Sequence, residues 1–186
     1  HAIEQAGIKL GDTVVVKGSG PGGLKSAILA QLAGAVNVIV VGGPAHRLEL
    51  AKQFGVDAVV NIENTTAEER VAAIKAMTAG RGADVVIEAT GFPAAVKEGM
   101  AMARDAGTYV VVGQYTNNGD ISMNPHLDIN KKHLTIKGTW GIDLSHFYRS
   151  IQIMAKHHDR FAWEKFISGH YGLHEVNQAI ADVEHH

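Results

Sequence analysis

Thr13-Val14-Val15-Val16-Lys17-Gly18-Ser19-Gly20-Pro21-Gly22-Gly23-Leu24 is the stretch on which the reading of this 186-residue chain turns. The β-branched run before the glycines reads as a short strand, and a helical pattern starts near Leu24. Between them the glycines are spaced G-x-G-x-x-G. Gly18 permits a tight strand-to-helix turn, Gly20 leaves bare main chain against a pyrophosphate, and Gly23 lets the helix pack closely on the strand. Pro21 suits the first helical position, where its missing N–H is no loss. The amides that follow, at Gly22, Gly23 and Leu24, then face an anion. In a chain with 21 glycines such spacing also arises by chance, so its weight comes from the strand before it and the helix after it.

Apolar, β-branched runs recur at Val14 to Val16, Val38 to Val41, Ala58 to Val60, Val85 to Ile87, Tyr109 to Val112 and Leu134 to Ile136. Unbroken runs of this kind, without period-two alternation, are expected where helices cover both faces of a parallel sheet. Helical spacing fills the gaps, with Leu24, Ile28 and Leu32, then Leu48, Ala51 and Phe54, then Val71, Ile74 and Met77, and a fourth crossover at Ala95 to Ala103. The expected fold is α/β: a Rossmann-type, doubly wound, six-stranded parallel sheet in three αβα layers, with strand order 3-2-1-4-5-6. Residues 1–142 would form the dinucleotide-binding domain and residues 143–186 a C-terminal helical segment. Turn signals at Gly42-Gly43-Pro44, Gly80-Arg81-Gly82, Gly91-Phe92-Pro93 and Asn117-Asn118-Gly119-Asp120 punctuate the pattern. Gln114 to Lys132 carries no helical period and reads as a long loop leading to an edge strand.

Composition narrows the function. A formal charge of −2 and a pI near 6.6 give no basis for a polyanion-binding face, so nucleic acid is a poor partner. The apolar runs fall far short of the roughly 20 residues a membrane helix needs, and no signal pattern opens the chain, so a soluble, cytoplasmic protein is expected. Zero cysteine leaves no disulfide and no thiolate zinc site. The chain starts at His1 without methionine and ends in His185-His186, and so reads as an excerpt of a longer protein with a tag-like end.

Ribose recognition normally uses an Asp or Glu about 20 residues beyond the glycines. Here Gly42-Gly43 ends the second strand, which removes the charge that would repel a 2′-phosphate, while His46 and Arg47 could attract one. Both NAD and NADP stay open. Thr90-Gly91 and Val112-Gly113-Gln114 follow strands at their carboxyl ends, where ligands bind in open α/β sheets. Glu88 reads as a buried, hydrogen-bonded structural carboxylate in preference to a catalytic acid. His126, Asp128 and His133, or His157-His158, match no compact zinc motif. Trp140 and Trp163 read as packing residues, though Trp140 follows the edge strand and its fluorescence is expected to respond to cofactor.

Four stretches together resemble the cofactor domain of the medium-chain dehydrogenase/reductase family, in its zinc-dependent alcohol dehydrogenase branch. They are Val14 to Leu24, Arg47-Leu48-Glu49-Leu50-Ala51 with Gly55-Val56-Asp57-Ala58, Asp84 to Gly91, and Gly107-Thr108-Tyr109-Val110-Val111-Val112-Gly113. The resemblance implies a parent enzyme that moves hydride between a nicotinamide cofactor and a small alcohol or carbonyl. Its zinc would be held by an upstream catalytic domain that this chain lacks, leaving no catalytic or metal-binding residue here. It also implies that Arg47 packs along the adenine, that backbone at Val112 and Thr139 holds the nicotinamide carboxamide, and that two edge strands at residues 134–137 pair in a homodimer. The tail at Glu175 to Ile180 resembles the return to the catalytic domain, so a helix at Val176 to Val183 should be poorly supported. The isolated chain would bind cofactor without turnover. A zinc-free NADPH quinone reductase and a redox-sensing nucleotide module share the same features; a methyltransferase is disfavoured by the complete second half.

Overall fold

Every apolar run becomes a strand of one parallel sheet in the computed structural model, which describes residues 1–184 and leaves the tag-like His185-His186 outside. The strands are β1 (Thr13–Lys17), β2 (Asn37–Gly42), β3 (Ala58–Asn61), β4 (Ala83–Glu88), β5 (Ala103–Val111) and β6 (Thr135–Gly138). Their order is β3-β2-β1-β4-β5-β6, as the sequence predicts. The helices are α1 (Ala2–Ala6), α2 (Pro21–Leu32), α3 (Ala45–Gln53), α4 (Ala67–Met77), α5 (Pro93–Met102), α6 (Leu144–Lys156) and α7 (Val176–Glu184).

Alternate strand residues serve opposite faces, so the sheet needs both of them apolar. Val14, Val16, Val38, Val40, Val85 and Ile87 meet Leu24, Ile28, Leu48 and Phe54 of the α2–α3 side. Val15, Ile39, Val41, Val86 and Tyr109 meet Ile74 of α4 and Met100 and Met102 of α5. Two buried faces are the physical reason why the strands show no alternation. The chain leaves β1 outward to β3, then crosses back to place β4 on the other side of β1, which opens a crevice at the carboxyl ends of β1 and β4.

Three local features carried no signal in the hydrophobic pattern. The short helix α1 was not anticipated. β5 starts several residues earlier than its apolar run, because Ala83 pairs with Ala103 but Val85 pairs with Thr108, and the intervening residues bulge out. The long connection holds a wide helical turn at His126–Asn130, built by local polar bonds: Asn124 N–H donates to Asp128 (2.8 Å) and His126 N–H to Asn124 (3.0 Å).

Lys17, at the end of β1, points into the α4–α5 side and is 3% exposed. Its ammonium lies 2.9 Å from Glu98, which also takes the Arg70 guanidinium at 2.7 and 3.0 Å. Burial works against ionisation of Glu98, but the bonds from Arg70 and Lys17 outweigh it and hold its carboxyl below the ordinary 4.5. A depressed carboxyl contributes stability that is complete above about pH 4.5 and is lost as pH falls through the folded-state value. The melting temperature of Glu98→Gln is therefore expected to fall less steeply than that of the parent chain below that pH. Parallel acid limbs in thermal melts would remove this network from the pH response.

α6 and α7 lie outside the sheet layers. Leu144, Phe147, Tyr148 and Ile151 of α6, and Val176, Ile180 and Val183 of α7, are at least half exposed. α7 is helical, with Asp182 accepting a bond from Tyr171 Oη at 2.7 Å. No helix among the described residues is long and apolar enough to cross a membrane.

Candidate functional site

Beyond β1 the chain turns at Gly18 with φ of 114°, and a Cβ there would lie 2.7 Å from the Ala89 carbonyl oxygen. Gly18 N–H donates to Val41 O and Ala89 N–H to Lys17 O, both at 2.8 Å, so neighbouring strands clamp the turn on either side. Gly23 is tighter still: its Cβ would fall 2.0 Å from the Gly18 carbonyl oxygen. These two glycines are required by the protein itself.

Gly20 and Gly22 are different. A Cβ on Gly20 would meet nothing closer than an Arg47 guanidinium nitrogen at 3.9 Å, and one on Gly22 nothing within 4 Å. Pro21 opens α2, Gly20 supplies no side-chain cap, and the first turn holds no acidic residue. The uncapped helix start thus lies beside open space and a guanidinium, an arrangement that suits a phosphate.

The second glycine pair is latched to the first. Ser19 is 2% exposed; its hydroxyl donates to Gly43 O at 2.9 Å and accepts from Gly43 N–H at 3.0 Å. A Cβ on Gly42 would lie 2.5 Å from that hydroxyl, so no side chain fits at the end of β2 unless Ser19 moves. Sequence reasoning passed over Ser19 because it fills a variable position of the glycine spacing. It also missed Glu63, in the turn after β3, whose Cγ comes 3.5 Å from where a Gly43 Cβ would stand. His46 is exposed and Arg47 partly buried at the start of α3.

At the ends of β4 and β5 the organiser is Glu88, fully buried. One carboxylate oxygen accepts from Thr90 N–H (2.7 Å), Thr90 Oγ1 (2.6 Å) and Gly91 N–H (3.0 Å). The other accepts from Gly113 N–H and Gln114 Nε2, both at 3.3 Å. The two loops touch backbone to backbone, since a Cβ on Gly113 would lie 2.4 Å from Gly91 N. Val112 N–H donates to Glu88 O at 2.9 Å and Thr139 N–H to Val111 O at 3.0 Å. Thr90, Gly91, Val112, Gly113, Gln114 and Thr139 therefore gather at the same sheet edge as the glycine turn, but the Thr90 and Gln114 side chains are turned to Glu88.

Trp140 corrects its reading as a packing residue. It is 70% exposed and stacks on Tyr115 with ring centroids 4.6 Å apart, while Trp163 lies among Phe161, Phe166 and the α2–α3 core. Among the described residues no group of three His, Asp or Glu side chains converges as a metal site needs.

Fold and glycine turn together define a doubly wound α/β domain with an open, uncapped helix start at its switch point. The family model of zinc-binding dehydrogenases matches residues 23–156, and the chain belongs to that family. It is 31% identical to 5-exo-hydroxycamphor dehydrogenase of Pseudomonas putida over 95% of this chain and 49% of that protein. It superposes on an alcohol dehydrogenase of Thermotoga maritima with a TM-score of 0.80 and 38% identity, covering 86% of this chain and 43% of the other. A structure from Sinorhizobium meliloti, assigned as a zinc-binding dehydrogenase and bound to NADP, superposes with a TM-score of 0.76 at 32% identity, over 84% of this chain and 45% of that one. The chain spans about half the length of the curated relatives it matches.

Proposed function

We propose that this chain is the cofactor-binding part of an oxidoreductase that transfers hydride between a nicotinamide dinucleotide and an alcohol or carbonyl. The observation that carries the reading is the division of labour in the glycine turn: Gly18 and Gly23 are filled by the fold, while Gly20 and Gly22 are left open before an uncapped helix start. The diphosphate would rest on the amides there, with Leu24 closing the first turn through its bond to Gly20 O. The adenosine would lie toward Gly42, Gly43 and Arg47. Because the Val112 and Thr139 amides are already engaged, their carbonyls are the groups offered to a carboxamide N–H. When bound, the nicotinamide ring supplies the hydride chemistry; the chain's own contribution is to fix the ring against the edge formed by β4, β5 and β6. A zinc-held substrate oxygen would need ligands from outside these 186 residues, since the chain has no cysteine and none of its described side chains gather as a metal site. The same proposal pairs two copies through β6, the exposed sheet edge.

A Cβ at Gly20 meets nothing closer than an Arg47 guanidinium nitrogen at 3.9 Å, and Gly20 already has extended backbone at φ −72° and ψ 177°. Gly20→Val is expected to melt like the parent yet to bind NADH and NADPH at least about tenfold more weakly in fluorescence titration. Unchanged affinity for both would overturn the reading. The same titration ranks the two cofactors, and the Gly42 end of β2 with Arg47 nearby supports acceptance of the 2′-phosphate.

A further inference from the structure

At the other end of the sheet, before the amino ends of β4, β5 and β6, four cationic side chains border one open cavity of about 470 Å³. Lys75 comes from the last turn of α4, Arg81 from the turn before β4, Arg104 from the bulge of β5, and Lys132 from the turn before β6. We propose that this cavity is a second anion site, separate from the glycine turn, for a small anion of the diphosphate class.

The charges do not cancel within the fold. Arg104 is bound to Asp84 at 2.6 Å and to the Asp105 carbonyl at 2.7 Å. Lys132 donates to the carbonyls of Met100 (2.5 Å) and Ala103 (2.6 Å), where it also complements the negative end of α5. Lys75 and Arg81 enter no ion pair among the described residues. Two carboxylates face the four cations: Asp84 holds Arg104 and its charge also reaches Arg81, while Asp105 lines the cavity and acts on Lys132; Asp128, also near Lys132, is turned to Asn124 N–H. Burial pushes the Lys132 ammonium down, Asp105 opposes this, and the positive charge of Lys75 adds to it, as expected where cations gather without enough counter-charge.

The backbone around the cavity is held against its local preference. Ala79, Ala106 and His133 have φ of 51°, 55° and 50°, and each directly follows or precedes a lining residue in one of three different turns. They are the only non-glycine residues with positive φ among those described. Strain of this kind gathers at binding sites. The cavity is concave and local, and the whole chain carries a charge of −2, so a compact anion fits it better than an extended polymer. Lys75 and Arg81, which make no close ion pair among the described residues, the second of them a guanidinium fork, match the two phosphoryl groups of a diphosphate.

Calorimetric titration with inorganic pyrophosphate into Gly20→Val, which blocks the other anion site, tests the proposal. One site is expected, weakened at least about tenfold when Lys75→Gln and Arg81→Gln are added, and weakened by salt. Both positions are exposed, so the melting temperature should hold; each single substitution gives a smaller loss and serves as the second variant. No binding to Gly20→Val at millimolar pyrophosphate, or binding that the added substitutions leave unchanged, would overturn it.

Discussion

Gly23→Ala is expected to destabilise the domain by more than about 3 kcal/mol, beyond the usual range for one extra methyl, because the obstacle is main chain on both sides. The added carbon would sit 2.0 Å from the Gly18 carbonyl oxygen and 2.7 Å from its carbon. Gly18 cannot retreat. Its N–H is held by Val41 O at 2.8 Å, and its own Cα side faces the Ala89 carbonyl. Gly22→Ala, one residue earlier in the same helix, has open space and should be neutral or stabilising by about 0.5–1 kcal/mol through helix propensity. Urea unfolding of the two variants side by side measures the contrast. If Gly23→Ala kept the parent midpoint, the close approach of α2 to β1 would not be what the turn depends on.

Glu88→Ala should produce the second large effect, a loss of about 3–5 kcal/mol, because four donors from two loops would lose their acceptor, while Gly113 N–H would keep only the Glu88 carbonyl. Water entering the vacated space would recover part of what is lost, which keeps the figure below the sum of the separate bonds. Glu88→Gln is the sharper variant: it preserves shape but turns an NH2 group toward donors on one side, so an intermediate loss is expected. A catalytic acid would behave otherwise, since its amide would leave the melt intact. Thermal melts of both variants separate the two roles. A parent-like melt for Glu88→Gln would refute the organising role of this carboxylate. Looser loops at Thr90-Gly91 and Val112-Gly113 should also weaken cofactor binding in Glu88→Ala.

The site was legible in proportion to how local its causes are. Gly18, Gly20, Pro21 and Gly23 announce themselves, because a tight turn, an open main chain and a helix start each restrict residue type within a few positions. Ser19 escaped notice because its partner, Gly43, is 24 residues away and any small side chain looks acceptable at that position in sequence. Glu88 could be read as buried from its place on an apolar strand, but not as the junction of two loops, one of which lies 25 residues downstream. Trp140 was misjudged for the converse reason: an aromatic residue after an edge strand carries no mark of which side the protein leaves open.

The parallel sheet and its covered faces were contained in the chain's own pattern, since only a parallel sheet buried on both faces calls for six uninterrupted apolar runs separated by crossover helices; the strand order followed from reading the glycine turn as the start of two mononucleotide-type halves. Folding in three dimensions alone decided which glycines are packed against main chain and which are left open, that Ser19 latches two turns, and that four cations from separate elements share one cavity. Those outcomes depend on distances between segments far apart along the chain, and side-chain periodicity encodes only the neighbourhood of each residue.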